Sequence, residues 1–262
     1  MRMTNKLQSL ANVAPGATAT LSLPVSVAYH LVKFKMSGIT AAQMLNLKLI
    51  LNGRVVQTYK SGTELQELNG YKGYAADTAG YLTWYMVKPE LNMIGDQRFT
   101  KLGTQDLQTV SIEFDVDQAA TTPVVTASAM TSLNEPLGVI TKVLRFSKAA
   151  AAVGLDEIDN IPTGGARISA IHFKKADINS VEVEANNRKI FESQRVEARE
   201  WQRDYKKVPN TNYFHVDFVL EGDSSEALVT AGFRDFRFKL DHASAGSMDF
   251  IVEYIDTLEG GV

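Results

Sequence analysis

The sequence predicts an all-β chain of two tandem antiparallel β-sandwiches carrying a few short surface helices. Three observations point there. Apolar and polar residues alternate with period two through much of the chain, helical signals are few and short, and segments of the first half recur in order in the second. Successive side chains of a strand face opposite sides, so strict alternation marks strands with one face on a core, as in antiparallel sheets.

The alternation can be read element by element. Leu21 and Leu23 alternate with Thr20 and Ser22, and Val32, Phe34 and Met36 with Lys33 and Lys35. Val110, Ile112, Phe114 and Val116 point one way while Ser111, Glu113, Asp115 and Asp117 point the other. In the second half Phe214, Val216, Phe218 and Leu220 alternate with His215 and Asp217, and Phe236, Phe238 and Leu240 with Arg237 and Lys239. This phase predicts an outward, surface-facing His215. Thr63-Glu-Leu-Gln66 reads as a capping box, followed by Leu68 and an Asn69-Gly70 stop. Ser193 to Tyr205 reads as a charged surface helix with Ala198, Trp201 and Tyr205 on one side. Short helical turns are expected near Leu91–Leu102 and Ser225–Val229. Gln118 to Gly138, with its two prolines and weak periodicity, has the composition of a linker. It sets the domains at 1–130 and 131–262.

The repeat has three matches. Leu23-Pro24 aligns with Ile161-Pro162 at an offset of 138. Leu47–Arg54 aligns with Val181–Arg188 at an offset of 134, superposing the tight-turn dipeptides Asn52-Gly53 and Asn186-Asn187. Ile112-Glu-Phe114 aligns with Val252-Glu-Tyr254 at an offset of 140. In each half the turn is followed by a short strand and then a helix. Seven or eight strands in roughly 125 residues fit a two-sheet sandwich of Greek-key or jelly-roll type.

Composition narrows the function. The chain has 262 residues, 45% apolar and 22% charged, the balance of a folded protein. Net charge is −3; residues 1–125 carry 11 basic and 9 acidic side chains and the remainder 16 and 21, so neither half has the basic excess of a nucleic-acid binder. The absence of cysteine excludes disulfides and thiolate metal sites and suits folding in a reducing cytoplasm. No run is long and apolar enough to span a membrane, and the first ten residues do not read as a signal peptide. They read as a frayed terminus, whose Arg2 and Lys6 could contribute only about 2 kcal/mol toward an anionic lipid surface.

Enzymatic chemistry finds no footing. The histidines His30, His172, His215 and His242 form no metal-binding spacing, and no nucleophile elbow or phosphate loop is present. The acidic groups Asp115/Asp117, Asp156/Glu157/Asp159 and Glu221/Asp223 lack the pattern of a calcium loop and read as solvated faces. No catalytic, cofactor or metal residue is assigned. An alternative is a carbohydrate-binding sandwich, a phage spike or lectin, with Trp84, Tyr85 or Trp201 as an exposed aromatic platform.

A resemblance decides between these readings. Val87–Glu90, Phe99–Thr104, Glu113–Ala120, Ile168–Lys174, Asp217–Asp223, Phe236–Asp241 and Ile251–Tyr254, taken in order and spacing, resemble the major capsid protein of the corticoviruses, tailless marine phages with an internal lipid membrane. The resemblance implies a double jelly roll that is not an enzyme. It implies a virion protein, assembled in the host cytoplasm, forming homotrimers with upright strands. It also implies neighbouring capsomers, a penton or spike protein and the underlying viral membrane as partners, with structural calcium at subunit interfaces. Three two-domain chains would present six similar sandwiches around an axis, a pseudo-hexameric tile for an icosahedral shell.

Overall fold

The computed structural model describes residues 2–150 and 152–262. The chain divides into two compact units, one ending at Val143 and the other beginning at Leu144.

The first unit contains β1 (Met3–Lys6), β2 (Thr18–Ser22), β3 (Ala28–Ser37), β4 (Met44–Leu51), β5 (Arg54–Ser61), α1 (Gly62–Tyr71), β6 (Tyr81–Tyr85), α2 (Ile94–Arg98), β7 (Val110–Val116) and β8 (Val124–Ser132). They form the sheets β1-β8-β3-β6 and β5-β4-β7-β2. The first strand pairs with the eighth, the second with the seventh, the third with the sixth and the fourth with the fifth, all antiparallel. That is a long hairpin rolled on itself, the jelly roll.

The second unit repeats this. Strand β9 (Ile140–Ala150) begins in the first unit, where Val143 pairs with Gln57, and its later residues border β17. There follow β10 (Gly154–Ile158), β11 (Arg167–Lys174), β12 (Ile178–Ala185), β13 (Arg188–Gln194), α3 (Arg195–Asp204), β14 (Phe214–Asp217), the two-residue β15 (Leu228–Val229), β16 (Phe236–His242) and β17 (Gly246–Asp256). The sheets β14-β11-β17-β9 and β10-β16-β12-β13 have the strand order of the first unit. The short β15 is an addition, pairing with the start of β11. Each unit is thus an eight-stranded jelly roll.

Each core fills between its sheets. Phe34 of β3 meets Phe114 of β7 edge-on at 6.2 Å between ring centres, and Phe173 of β11 meets Phe238 of β16 at 5.9 Å. The same two strand positions therefore carry the cross-sheet aromatic pair in both units, a geometry contributing about 1 kcal/mol beyond area burial. Trp84, wholly buried, donates its indole N–H to Gln57 Oε1 at 2.6 Å, and the Gln57 amide donates to the Thr141 carbonyl at 2.8 Å. The buried polar atoms are thereby satisfied.

Four expectations change. The N-terminal residues expected to fray form β1, in register with β8 from Met3↔Thr131 to Lys6↔Ser128. The segment expected to be a linker contains β8, between β1 and β3. Its inward residues Val125, Ala127, Ala129 and Thr131 are small, so they weaken the apolar signal while still alternating in burial. Helix α1 is capped by Ser61 rather than Thr63: the Ser61 hydroxyl accepts from Glu64 N, and the Glu64 carboxylate accepts from Lys60 N. It runs through Asn69-Gly70 to Tyr71, because Leu65, Leu68 and Tyr71 are buried along one stripe. Finally, the topological equivalent of β7 is β16, not β17, so the third repeat match joins non-equivalent strands that share only alternation. The two helical turns appear as α2 and Ser224–Glu226.

Candidate functional site

The duplication is built on one residue in each half. Asn52 and Asn186 open the turns joining the fourth and fifth strands of each unit, with φ of 48° and 49°; Gly53 and Asn187 follow at 80° and 60°. Asparagine and glycine tolerate this left-handed backbone better than other residues. Asn52 Oδ1 accepts from Gln108 N at 2.8 Å and Thr109 N at 3.1 Å, and Asn186 Oδ1 accepts from Arg234 N at 2.9 Å and Asp235 N at 3.3 Å. Each side chain ties its hairpin tip to the residues entering the seventh strand. The shared tip confirms the second repeat match, and moves the third to an offset of 126 between Val110 and Phe236.

Histidine placement departs furthest from the sequence reading. All four histidines are buried. His215 was expected to face outward; instead it lies opposite His172 of β11, with the two Nδ1 atoms 2.7 Å apart. The outward phase was right for a bare sheet, but α3 covers this strand: the Gln202 amide donates to the His215 carbonyl at 2.8 Å. The Tyr213 ring stacks on the imidazole at 5.3 Å. Burial, and then the neighbouring His172, holds His215 well below the usual imidazole range. Glu253 of β17 approaches His172 Nε2 at 3.5 Å. In the first unit burial, followed by Arg2, Arg98 and Lys101, pushes His30 down to about 4, and its Nε2 lies 3.0 Å from the Ser132 hydroxyl. Burial and then Lys175 lower His242. Strand β14 stops at Asp217, earlier than Leu220, because the Asp217 carboxylate accepts from Val219 N at 3.1 Å and turns the chain.

Helix α3 is held by Arg195, which the sequence reading did not single out. Its guanidinium donates to the carbonyls of Ile178 at 2.6 Å, Lys175 at 2.7 Å and Tyr213 at 2.9 Å. The inward stripe is Ala198 and Gln202, not Ala198 with Trp201 and Tyr205. Trp201 and Tyr205 face outward, 62% and 41% exposed. Of the other candidate platform residues, Trp84 is in the core and Tyr85 packs on Tyr74 at 4.4 Å. Three aromatic candidates therefore form no shared platform.

Most of these carboxylates are engaged within the chain. Asp115 accepts from the Thr18 hydroxyl at 2.6 Å and the Asn46 amide at 2.9 Å, which lower its pKa. Asp117 and Asp223 accept from the backbone N–H groups of Ala119 and Ser225. Asp156 pairs with Lys148 and Glu157 with Arg237. On the outward face of β12, Glu182 lies between Lys189 at 2.7 Å and Lys239 at 3.0 Å, whose hydrogen bonds hold its carboxyl at about 2. Among the described residues no three His, Asp or Glu side chains converge as metal ligands. Among the described residues no helix is long and apolar enough to cross a membrane.

Two jelly rolls in tandem, with the same strand order in each, define a double jelly-roll protein. Family models agree: residues 4–132 match the viral coat protein P2 N-terminal domain and residues 140–258 its C-terminal domain. The chain belongs to the viral coat protein P2 family. It is 31% identical to the major capsid protein P2 of Pseudoalteromonas phage PM2, over 97% of each chain. The crystal structure of the major capsid protein P2 from bacteriophage PM2 superposes with a TM-score of 0.95 at 30% identity, covering 99% of this chain and 100% of that one. A chain of the atomic structure of Sulfolobus turreted icosahedral virus shares the fold at a TM-score of 0.72 and 12% identity, covering 98% of this chain and 91% of that one. The chain is a bacteriophage major capsid protein, a structural component of the virion and not an enzyme.

Proposed function

We propose that three copies of this chain associate into a pseudo-hexameric capsomer that tiles an icosahedral shell around an internal membrane. The repeated strand order carries the reading: a threefold arrangement of a chain holding two equivalent jelly rolls presents six similar bodies to its neighbours. Further heterologous contacts extend such tiles into a lattice, with a separate penton or spike protein at the fivefold positions. Arg2 and Lys6 are the basic groups nearest the start of the chain, and they are offered to anionic lipid beneath the shell. Structural calcium belongs to the same proposal only between subunits, with carboxylates from two chains, since one chain gathers no such set among the described residues.

Sedimentation velocity of the purified protein tests the stoichiometry. A species of three chains is expected, and a monomer at high concentration, with or without calcium, rejects it. Chelation followed by sedimentation reads the calcium, and liposome co-sedimentation of full-length and residue-10-truncated protein reads the lipid contact.

A further inference from the structure

The fifth strands of the two units are built alike and finished differently. The register of β4 with β5 breaks between Leu49 and Ile50, and that of β12 with β13 between Val183 and Glu184. Val56 and Ile190 are therefore the bulged residues of the two strands. Gln57 and Phe191, paired with Leu49 and Val183, occupy one place. The helices that follow dock alike as well. Asn69 of α1 donates to the Thr83 carbonyl at 2.9 Å, as Gln202 of α3 does to the His215 carbonyl at 2.8 Å.

The outer edge of β5 is covered. Residues 140–143, the start of β9 that belongs to the first unit, lie parallel to it, with Val143 paired to Gln57. Val56 is 2% exposed, and the space left between β5, α1 and this segment is about 20 Å³. Strand β13 ends its sheet instead, so its outer edge carries no strand. Ile190, in the place of Val56, is 37% exposed, and an open groove of about 370 Å³ runs between β13 and α3. Gln202 in the wall of this groove is buried, and its Oε1 has no hydrogen-bond partner among the described residues. A sheet edge with unpaired backbone, beside a groove that the other unit fills with a strand, is a place for an added strand.

The first unit shows which strand fits. Its β5 is covered by the beginning of a first strand, β9. The other first strand is β1, which also ends its sheet. The bulges at Tyr29/Leu31 of β3 and Ile168/Ala170 of β11 relate 29 to 168 and 31 to 170, an offset of 139. Applied to the first strands, that offset puts the exposed Thr4 in the place of Val143.

We propose that β13 of one chain receives β1 of the next copy in the capsomer, as a parallel strand with Thr4 beside Phe191. This rests on the capsomer reading and names the surface by which its chains join. The incoming strand covers Ile190 and brings backbone donors to the side of Gln202. Each chain gives one first strand and receives another, so the contact is head-to-tail and closes into a ring.

Thiol pairing tests the contact, since the chain has no cysteine. Thr4→Cys and Phe191→Cys chains, co-expressed, are expected to give a disulfide-linked pair after mild oxidation, and neither variant alone gives one. A multichain species without linked pairs overturns the contact and leaves the capsomer standing. Linked pairs in a species of other than three chains uphold the contact and overturn the stoichiometry. A monomer overturns both. Hydrogen exchange of the unmodified chain covers the case in which a substitution impairs folding. Amides of Arg188–Gln194 should slow several-fold when the multichain species forms, while those of β5, already covered, should not change. Equal exchange in β13 before and after association overturns the contact.

Discussion

His172 Nδ1 and His215 Nδ1 lie 2.7 Å apart on directly paired residues of β11 and β14. A contact this short holds one proton, so one ring donates and the other accepts, and the two Nδ1 atoms cannot both carry hydrogen. The pair is buried beneath Tyr213 and α3, with His172 Nε2 turned toward Glu253.

Acid should therefore destabilise this protein in a defined window. His30, His215 and His242 all have folded values below the usual 6.5. As pH falls, the unfolded chain takes up protons that the folded one refuses. Stability is complete above about 6.5 and is lost as pH falls toward the folded values, about 4 for His30. Each histidine contributes up to about 1.4 kcal/mol per pH unit within its window. Denaturant titrations of the purified subunit from pH 7.5 to 4.5 measure this. His30→Gln should flatten the slope, and an unchanged slope refutes the assignment.

The turn asparagines are expected to be more costly to lose than their exposure suggests. Asn52→Ala and Asn186→Ala each place a Cβ residue in the left-handed region and remove two hydrogen bonds. The combined loss is about 2–4 kcal/mol. Asn52→Gly keeps the backbone freedom and loses only the bonds, so its denaturation midpoint should fall between those of Asn52→Ala and the wild type.

Arg195 is the expected anchor of α3. Arg195→Lys keeps the charge but not the planar fork that reaches several carbonyls, and should cost about 2–4 kcal/mol. Hydrogen exchange should quicken in Arg195–Asp204 and β14 while α1 is unaffected.

The two tryptophans report separate environments. Trp84 is buried and hydrogen-bonded, whereas Trp201 is 62% exposed. Iodide should quench the emission of Trp84→Phe strongly and of Trp201→Phe weakly. Similar quenching of both would contradict the placement of α3.

The sequence showed the strands through their alternation, because one face of each sheet meets a core. Its blind spots have physical causes. Strand β8 escaped because Ala127 and Ala129 are small; Thr131 is a polar residue turned inward, where it accepts from the Asn5 amide at 3.2 Å. His215 escaped because alternation assigns a face, not what later covers it. Trp201 was legible as an exposed ring, but its side of α3 was not, because α3 is anchored by hydrogen bonds from Arg195 and Gln202 and its aromatic side is not its packing side. The Asn52 and Asn186 turns were legible as a repeat, but their reach to the seventh strand was not, since no local pattern encodes it.

The rolled-hairpin pairing also sets an order of closure. Within the first unit β4 and β5 meet across a two-residue turn, while Asn5 and Thr131, which join β1 to β8, are 126 residues apart. Loop closure costs more entropy at each wider pair, so the Asn52 tip is expected to close first. A jelly roll of this kind stays open at its outermost strand until its eighth strand has left the ribosome. Splitting the shell tile into two such rolls halves the longest wait, and allows the first to close while the second is still being made.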